Sequence, residues 1–183
     1  MPRRLLAAAF LATVLVLSVL VAPSQANAPS NRKWLKDTRS AMYGSRAYLD
    51  RRVERGGVRL AVNLDIDNIA LATRYRPGRP VPVVLRFARY AQKSGVSVVF
   101  NTARDEADLP EAVAQLRRAG YPVSAICGRR AGEAVVESKQ RCRQQYVDAG
   151  YTIIANVGNR SADFVGRNYQ RGFRLPSYGK ALS

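Results

Sequence analysis

Histidine is absent from this 183-residue chain. Its absence excludes Ser-His-Asp triads, phosphohistidine chemistry and metal sites with imidazole ligands. A metal ion in this protein would therefore have oxygen ligands. Oxygen ligands favour magnesium or calcium over zinc.

Cysteine is almost as scarce, with only Cys127 and Cys142 in the chain. There is no C-x-x-C pair, and six positions after Cys127 stands Glu133 rather than the arginine of a cysteine-phosphatase loop. Neither cysteine is therefore predicted to be catalytic. Outside the cytoplasm the two could form a disulfide, but geometry decides this and the sequence leaves it open.

Acidic residues are also few. The chain has 13 Asp and Glu against 30 Lys and Arg, which gives a formal net charge of +17. Such a charge predicts attraction to anionic partners such as nucleotides, nucleic acids, cell-wall polymers or anionic lipid surfaces. Most of these cations are nevertheless expected on solvated helix faces. The aromatic-basic repeats that stack single-stranded nucleic acid are missing.

The N-terminus has the pattern of a signal peptide. Arg3 and Arg4 precede an apolar run over residues 5–22, and the small-x-small sequence ending at Ala26 follows it. We expect residues 1–26 to be a signal peptide, so that the mature protein is secreted and retains no transmembrane segment. The alternative is an uncleaved membrane anchor, since the apolar run approaches the length of a membrane span.

The rest of the chain alternates between strand and helix patterns. Residues 27–56 are predicted to be an N-terminal helical segment, which Gly44 could divide into two helices. Residues 57–183 are predicted to form one α/β domain, a doubly wound, mostly parallel, five-stranded Rossmann-like sheet. Predicted strands cover 58–64, 96–100, 122–126, 151–156 and 172–175, and predicted helices cover 83–93, 109–119 and 133–149.

Polar side chains gather where these strands end. Asp65, Asp67 and Asn68 follow the first strand, Asn101, Thr102 and Arg104 follow the second, and Asn159 and Asp163 follow the fourth. Ligands of open α/β sheets bind beyond the carboxyl ends of the strands, so we expect these side chains in one site. A carboxylate nucleophile, a second carboxyl group, a lysine and oxygen ligands for a cation are together suited to phosphoryl transfer.

The succession of DIDN, FNTAR, an isolated lysine and NVGNRSAD resembles the haloacid dehalogenase superfamily. It is most similar to the secreted acid-phosphatase branch, which includes plant vegetative storage proteins and bacterial acid phosphatases. The resemblance runs from about Val58 to Leu175. It implies an acid phosphatase that requires Mg²⁺ and passes through an aspartyl-phosphate intermediate.

The resemblance also implies a role for each matching residue. Asp65 is expected to be the nucleophile, and Asp67 is expected to be the general acid and base. Thr102 and the N–H of Ala103 would bind phosphate, Lys139 would pair with the nucleophile, and Asn68 and Arg104 would contact substrate. The implied metal ligands are Asp65, Asp67 through its backbone carbonyl, Asn159 and Asp163.

Two positions depart from the family pattern. Ile69 stands where the family often has Thr or Val, and Asn159 stands where it usually has Asp. An amide oxygen can still bind magnesium, but one negative charge is lost. The alternative to an active enzyme is thus an inactive or weak phosphatase-like scaffold that binds anionic cell-wall polymer or nucleic acid.

The spacing of the motifs leaves no room for a large cap domain. The site is therefore expected to be open, or covered by the N-terminal helix near Trp34 and Tyr43, or by a second subunit in a homodimer. An open site suits broad or bulky phosphomonoesters, with nucleotides among the candidates. Arg74, Arg76, Arg104, Arg129 and Arg130 could steer such anions to it.

Overall fold

The computed structural model describes residues 28–179, 181 and 182. The predicted signal peptide lies outside these residues. Within the described residues, no helix is both long and apolar enough to cross a membrane.

The described chain contains five α-helices, two short 3₁₀ helices (Glu106–Asp108 and Ser161–Phe164) and five strands, as expected for an α/β fold. The helices are α1 (Asn31–Ala41), α2 (Ser45–Glu54), α3 (Pro82–Lys93), α4 (Leu109–Arg118) and α5 (Val135–Asp148). The strands are β1 (Leu60–Leu64), β2 (Ser97–Asp105), β3 (Ala125–Arg129), β4 (Thr152–Gly158) and β5 (Arg171–Arg174). All are joined in one parallel sheet with the order β3-β2-β1-β4-β5.

This topology confirms the predicted doubly wound sheet. From the central strand β1 the chain proceeds first to β2 and β3, and then returns to the other side of β1 to form β4 and β5. The strand order therefore reverses between β1 and β4, which is where such folds bind ligands.

Two apolar clusters cover the two faces of the sheet. Val62 of β1 belongs to the larger cluster with Phe87 of α3, whereas its neighbour Ala61 belongs to the smaller one with Tyr146 of α5. Successive side chains of a strand point to opposite faces, so this division places α3 and α5 on opposite sides of the sheet. The short, wholly buried β1 lies between them.

The N-terminal segment forms two helices rather than one. Gly44 has a φ of 74°, a left-handed conformation that breaks the helix and that glycine adopts without steric cost. Trp34 of α1 is completely buried and stacks on Tyr75, with 5.0 Å between the ring centroids. The segment is therefore packed against the α/β domain.

Two strand predictions were displaced. The predicted strand 122–126 is observed at Ala125–Arg129, and β2 extends to Asp105 instead of ending at Phe100. The extension is possible because Asp105 pairs with Arg129 on β3 after an irregularity in the register. A cross-strand pairing of this kind has no local signature in the sequence.

The two cysteines form a disulfide, which resolves the question that the sequence left open. Cys127 lies on β3 and Cys142 on α5, with 5.6 Å between their Cα atoms. The bond ties α5 to the edge of the sheet.

Candidate active site

The sheet register brings three of the motifs to one edge. Leu64, the last residue of β1, pairs with Phe100 of β2 and with Val157 of β4. Asp65, Asn101 and Gly158 follow these three residues directly, so their backbones lie side by side. The site therefore sits at the point where the strand order reverses.

Lys139 links the carboxylates of Asp65 and Asp163. Its Nζ donates to Asp65 Oδ1 at 2.5 Å and lies 2.8 Å from Asp163 Oδ1. A third bond, of 2.7 Å, goes to the carbonyl of Asn101, whose own Nδ2 donates to the carbonyl of Lys139. The ammonium group is thus fully satisfied although Lys139 is only 3% exposed.

This environment perturbs both members of the central pair. Burial raises the pKa of Asp65 to about 6, and Asp163 adds to the rise, while the charge of Lys139 opposes it. Burial acts to lower the pKa of Lys139, but the two carboxylates outweigh burial and the net shift is upward. Lys139 therefore remains an ammonium ion that favours the ionised form of Asp65.

Asp163 is held by backbone N–H groups as well as by Lys139. Its Oδ2 accepts from the backbone N–H groups of Asn159 at 3.0 Å and Arg160 at 2.9 Å. Its carbonyl accepts from Asn156 Nδ2 and from the buried guanidinium of Arg143, each at 2.8 Å. The loop after β4 is consequently held by hydrogen bonds to both the side chain and the backbone carbonyl of Asp163.

Gly158 is a site residue that sequence reasoning did not single out. A Cβ atom at this position would lie 2.5 Å from the side chain of Asp163, closer than van der Waals contact allows. Only glycine lets the carboxylate fold back against the strand end. The sequence signal that could have identified Gly158 is its position directly before Asn159 in the NVGNRSAD motif.

Asp67 is oriented by an arginine and a threonine. Arg104 donates to both of its carboxylate oxygens, from Nε at 2.9 Å and from Nη2 at 2.7 Å, and Thr73 Oγ1 donates at 2.6 Å. Burial acts to raise the pKa of Asp67, but these hydrogen bonds and the nearby positive charges outweigh it, and the net shift is downward. Arg104 also donates to Gln115. Arg104, which was predicted to contact substrate, thus binds Asp67 in the structure.

The other residues predicted to bind phosphate or substrate are Thr102, Ala103 and Asn68, and they differ in whether they line the cavity. Thr102 is completely buried, and its Oγ1 accepts from the backbone N–H of Arg104. Ala103 lines the cavity described below, as does Asn68. The amide of Asn68, however, accepts from the backbone N–H of Arg74 and donates to the carbonyl of Leu182. Asn68 thus connects Arg74 and Leu182, two residues that line the cavity. The predicted contacts of Asn68 with substrate and of Thr102 with phosphate stay predictions.

A cavity of about 820 Å³ opens above Asp65, Asp67, Lys139 and Asp163. Its other walls include Arg74, Arg160, Val135 and Leu182. The N-terminal helices do not contribute to its lining, and Tyr43 is 89% exposed. Of the three alternatives that the sequence left open, coverage by the N-terminal helix is therefore wrong. No large cap domain lies between the strands of the described chain, as predicted.

The residues around the cavity fit a hard divalent cation. Asp65 and Asp163 offer carboxylate oxygens, and Asn159 is buried with an Nδ2 that has no hydrogen-bond partner among the described residues. Asn159 lines the cavity, and its amide oxygen is a donor of the kind that magnesium or calcium prefers. Within the described residues, no three Asp, Glu, His or Cys side chains are grouped so that they could hold a metal ion.

The fold and these residues together define a phosphatase-type site on a doubly wound sheet. The family model for subfamily IIIB acid phosphatases of the HAD superfamily matches residues 73–181. The chain therefore belongs to this family of acid phosphatases, and the predicted enzyme class is confirmed. The matched range includes Thr102, Lys139, Asn159 and Asp163 and begins after Asp67.

Solved structures share the fold. The Class C acid phosphatase from Bacillus anthracis is similar over 80% of this chain and 79% of its own, with a TM-score of 0.65 and 15% identity. The same enzyme with tungstate bound gives a TM-score of 0.64, with the same coverage and identity. No curated protein sequence matches the chain significantly.

Proposed function

We propose that this protein hydrolyses phosphate monoesters through a phosphorylated Asp65, with Mg²⁺ as the metal. The observation that carries the proposal is the buried Lys139 between Asp65 and Asp163, at 2.5 and 2.8 Å, on the floor of the cavity. A lysine in this position keeps one carboxylate ionised as a nucleophile. It also offsets the charge of an incoming phosphate.

In the first half of the reaction, an oxygen of Asp65 attacks the phosphorus of the substrate. A bond forms between that oxygen and phosphorus, and the bond from phosphorus to the leaving alcohol breaks. Asp67 in its protonated form donates a proton to the leaving oxygen; because the pKa of Asp67 is lowered, this form becomes more populated as the pH falls. Arg104 and Thr73 hold the Asp67 carboxyl in one orientation for this transfer.

In the second half, Asp67 takes a proton from a water molecule, which then attacks the phosphorus. The bond to Asp65 breaks, inorganic phosphate leaves, and both carboxyl groups return to their starting states. The N–H of Ala103, which lines the cavity, is a proposed donor to the phosphate oxygens.

Asp65, Asp163 and Asn159 would hold the metal, together with the carbonyl of Asp67. A bound divalent cation would offset the negative charge that the phosphate adds to the carboxylates. Asn159 contributes no charge, so we expect weaker magnesium binding than an aspartate would give.

We further propose that the enzyme acts outside the cytoplasm, after cleavage behind Ala26. The pattern of residues 1–26 supports this, and the disulfide between Cys127 and Cys142 is a feature of oxidising compartments. Cell fractionation and the N-terminal sequence of the exported protein would test it. Recovery of the intact chain in the membrane fraction would favour the uncleaved anchor.

Phosphate release from an aryl phosphate would test the function, measured with Mg²⁺, with chelator, and for Asp65→Asn. We expect activity that requires both the metal and Asp65. Asp148→Asn is a matched control, because Asp148 lies at the far end of α5 from Lys139 and bonds only Gln144 among the described residues. A radiolabelled phosphoryl group from the substrate should be trapped on the wild type, be released by hydroxylamine, and be absent from Asp65→Asn.

The opposite outcome is equally clear. A folded protein that releases no phosphate from any monoester would contradict the proposal. Salt-sensitive binding of an anionic polymer, unchanged in Asp65→Asn, would then support the scaffold alternative.

A further inference from the structure

The arginines that could steer anions to the site differ in whether they are already paired. Three of them bind carboxylates in the described structure. Arg104 pairs with Asp67 at 2.7 Å, Arg129 with Asp105 at 2.8 Å and Arg130 with Glu106 at 3.4 Å. The charges of these three arginines are therefore partly offset, and none of the three lines the cavity.

Arg74 and Arg160 are different. Both line the cavity, and among the described residues neither has a carboxylate within 4.0 Å. Arg74 is exposed and Arg160 is half-buried. They supply positive charge at the walls of the cavity, and no carboxylate of the described residues lies close enough to neutralise it.

The backbones of both arginines are fixed to the proposed catalytic loops. The N–H of Arg74 donates to Asn68 Oδ1 at 2.8 Å, and that of Arg160 donates to Asp163 Oδ2 at 2.9 Å. Asn68 stands one residue from Asp67. The backbones that carry the two guanidinium groups are thus hydrogen-bonded to residues of the proposed site.

The charges of the inner site suggest what these arginines recognise. Asp65, Asp67 and Asp163 are largely offset by Lys139 and Arg104, and a divalent cation would cancel a bound phosphate dianion. One negative charge is left in the inner site, so Arg74 and Arg160 together give the cavity a net surplus of one positive charge. Val135 and Leu182, which line the same cavity, offer apolar contact to an organic group.

We propose that the preferred substrates carry a second anionic group, bound by Arg74 and Arg160, and joined to the scissile phosphate by an apolar spacer. This inference rests on the proposed function, because it assumes that the scissile phosphate binds above Asp65. It makes Arg74 and Arg160 specificity-determining residues. Their contribution comes from charge, so it should weaken as the salt concentration rises.

Two phosphonates that cannot be hydrolysed would test the proposal by calorimetric titration in the presence of Mg²⁺. These are benzylphosphonate and its 4-carboxymethyl derivative, which differ only in the second anionic group. We expect the derivative to bind the wild type at least about fivefold more tightly, as partly exposed ion pairs allow. Arg74→Gln and Arg160→Gln should each reduce this ratio, and the double variant should bring it close to one.

Arg76→Gln is the matched control. Arg76 lies on the same loop as Arg74 and is exposed, but it does not line the cavity, so the ratio should stay at the wild-type value. Circular dichroism would show that the variants are folded. Tighter binding of the derivative supports the proposal even if no substrate is turned over.

Three results would overturn the proposal. A wild-type ratio near one would refute the second anionic subsite while leaving hydrolysis of monoesters intact. A ratio that Arg76→Gln reduces as much as the double variant does would show that overall charge, and not these two arginines, sets the preference. Binding of neither phosphonate would overturn both this inference and the proposed phosphate site.

Discussion

Replacing Lys139 by methionine should destabilise the protein severely. The ammonium group bonds Asp65, Asp163 and the carbonyl of Asn101, and all three acceptors lose a donor when it is removed. The side chains of Asp65 and Asp163 are only 12% and 4% exposed, so water replaces little of the loss. Methionine matches lysine in length, so the change removes charge rather than volume.

The expected loss is about 3 to 5 kcal/mol of unfolding free energy, the cost of removing one partner from a buried ion pair. Urea denaturation would measure it, followed by the fluorescence of the single, buried Trp34. Chelator should be present, because a divalent cation could otherwise neutralise the carboxylates. Lys93→Met, at an exposed position at the end of α3, should change stability by no more than about 0.5 kcal/mol.

A double variant separates the ion pair from other effects. When Asp65→Asn has already removed one carboxylate, Lys139→Met should cost about 0.5 to 3 kcal/mol less than in the wild type. A cost below about 1 kcal/mol in the wild type, or an equal cost in both backgrounds, would refute the reasoning that Lys139 neutralises Asp65.

Three further predictions follow from single contacts. Gly158→Ala should displace Asp163 and abolish most phosphate release while costing about 1 to 3 kcal/mol of stability; activity at the wild-type level would contradict the close packing. Hydrogen bonding lowers the pKa of Glu133 to about 2, so its contribution should be present above pH 4.5 and lost as the pH falls towards 2; the difference in melting temperature between wild type and Glu133→Gln should shrink over that range, and a constant difference would argue against it. Replacing Cys127 and Cys142 together by alanine opens a loop with a sequence separation of 15 and should cost about 3 kcal/mol in urea denaturation, whereas an unchanged midpoint would show that the bond adds no stability.

Local sequence predicted those parts of the site that depend on strand ends. Short apolar strands alternating with helices predict a parallel sheet. A parallel sheet then brings the residues after β1, β2 and β4 to one edge whatever the details of packing. Asp65, Asp67 and Asp163 could therefore be placed together before any coordinates were known. The break at Gly44 was likewise open to prediction, because glycine weakens a helix locally.

Contacts between distant segments could not be predicted in the same way. Arg104 was expected to face substrate, but its bidentate pairing with Asp67 depends on how β2 continues beyond Phe100 and on its pairing with β3. Coverage of the site by the N-terminal helix was one of three alternatives, but the segment that lines the cavity is the one that carries Leu182. Neither contact leaves a pattern in the residues around it.

The sequence by itself determined the sheet, the order of the motifs and the absence of histidine chemistry, because these follow from local composition and periodicity. Only the tertiary structure decided that Cys127 meets Cys142, that Lys139 bridges two carboxylates, and that Arg74 and Arg160 line the cavity with no described carboxylate within 4.0 Å. Each of these depends on the distance between side chains far apart in the chain. Such distances are set by the packing of helices on the sheet and by nothing that one segment encodes alone.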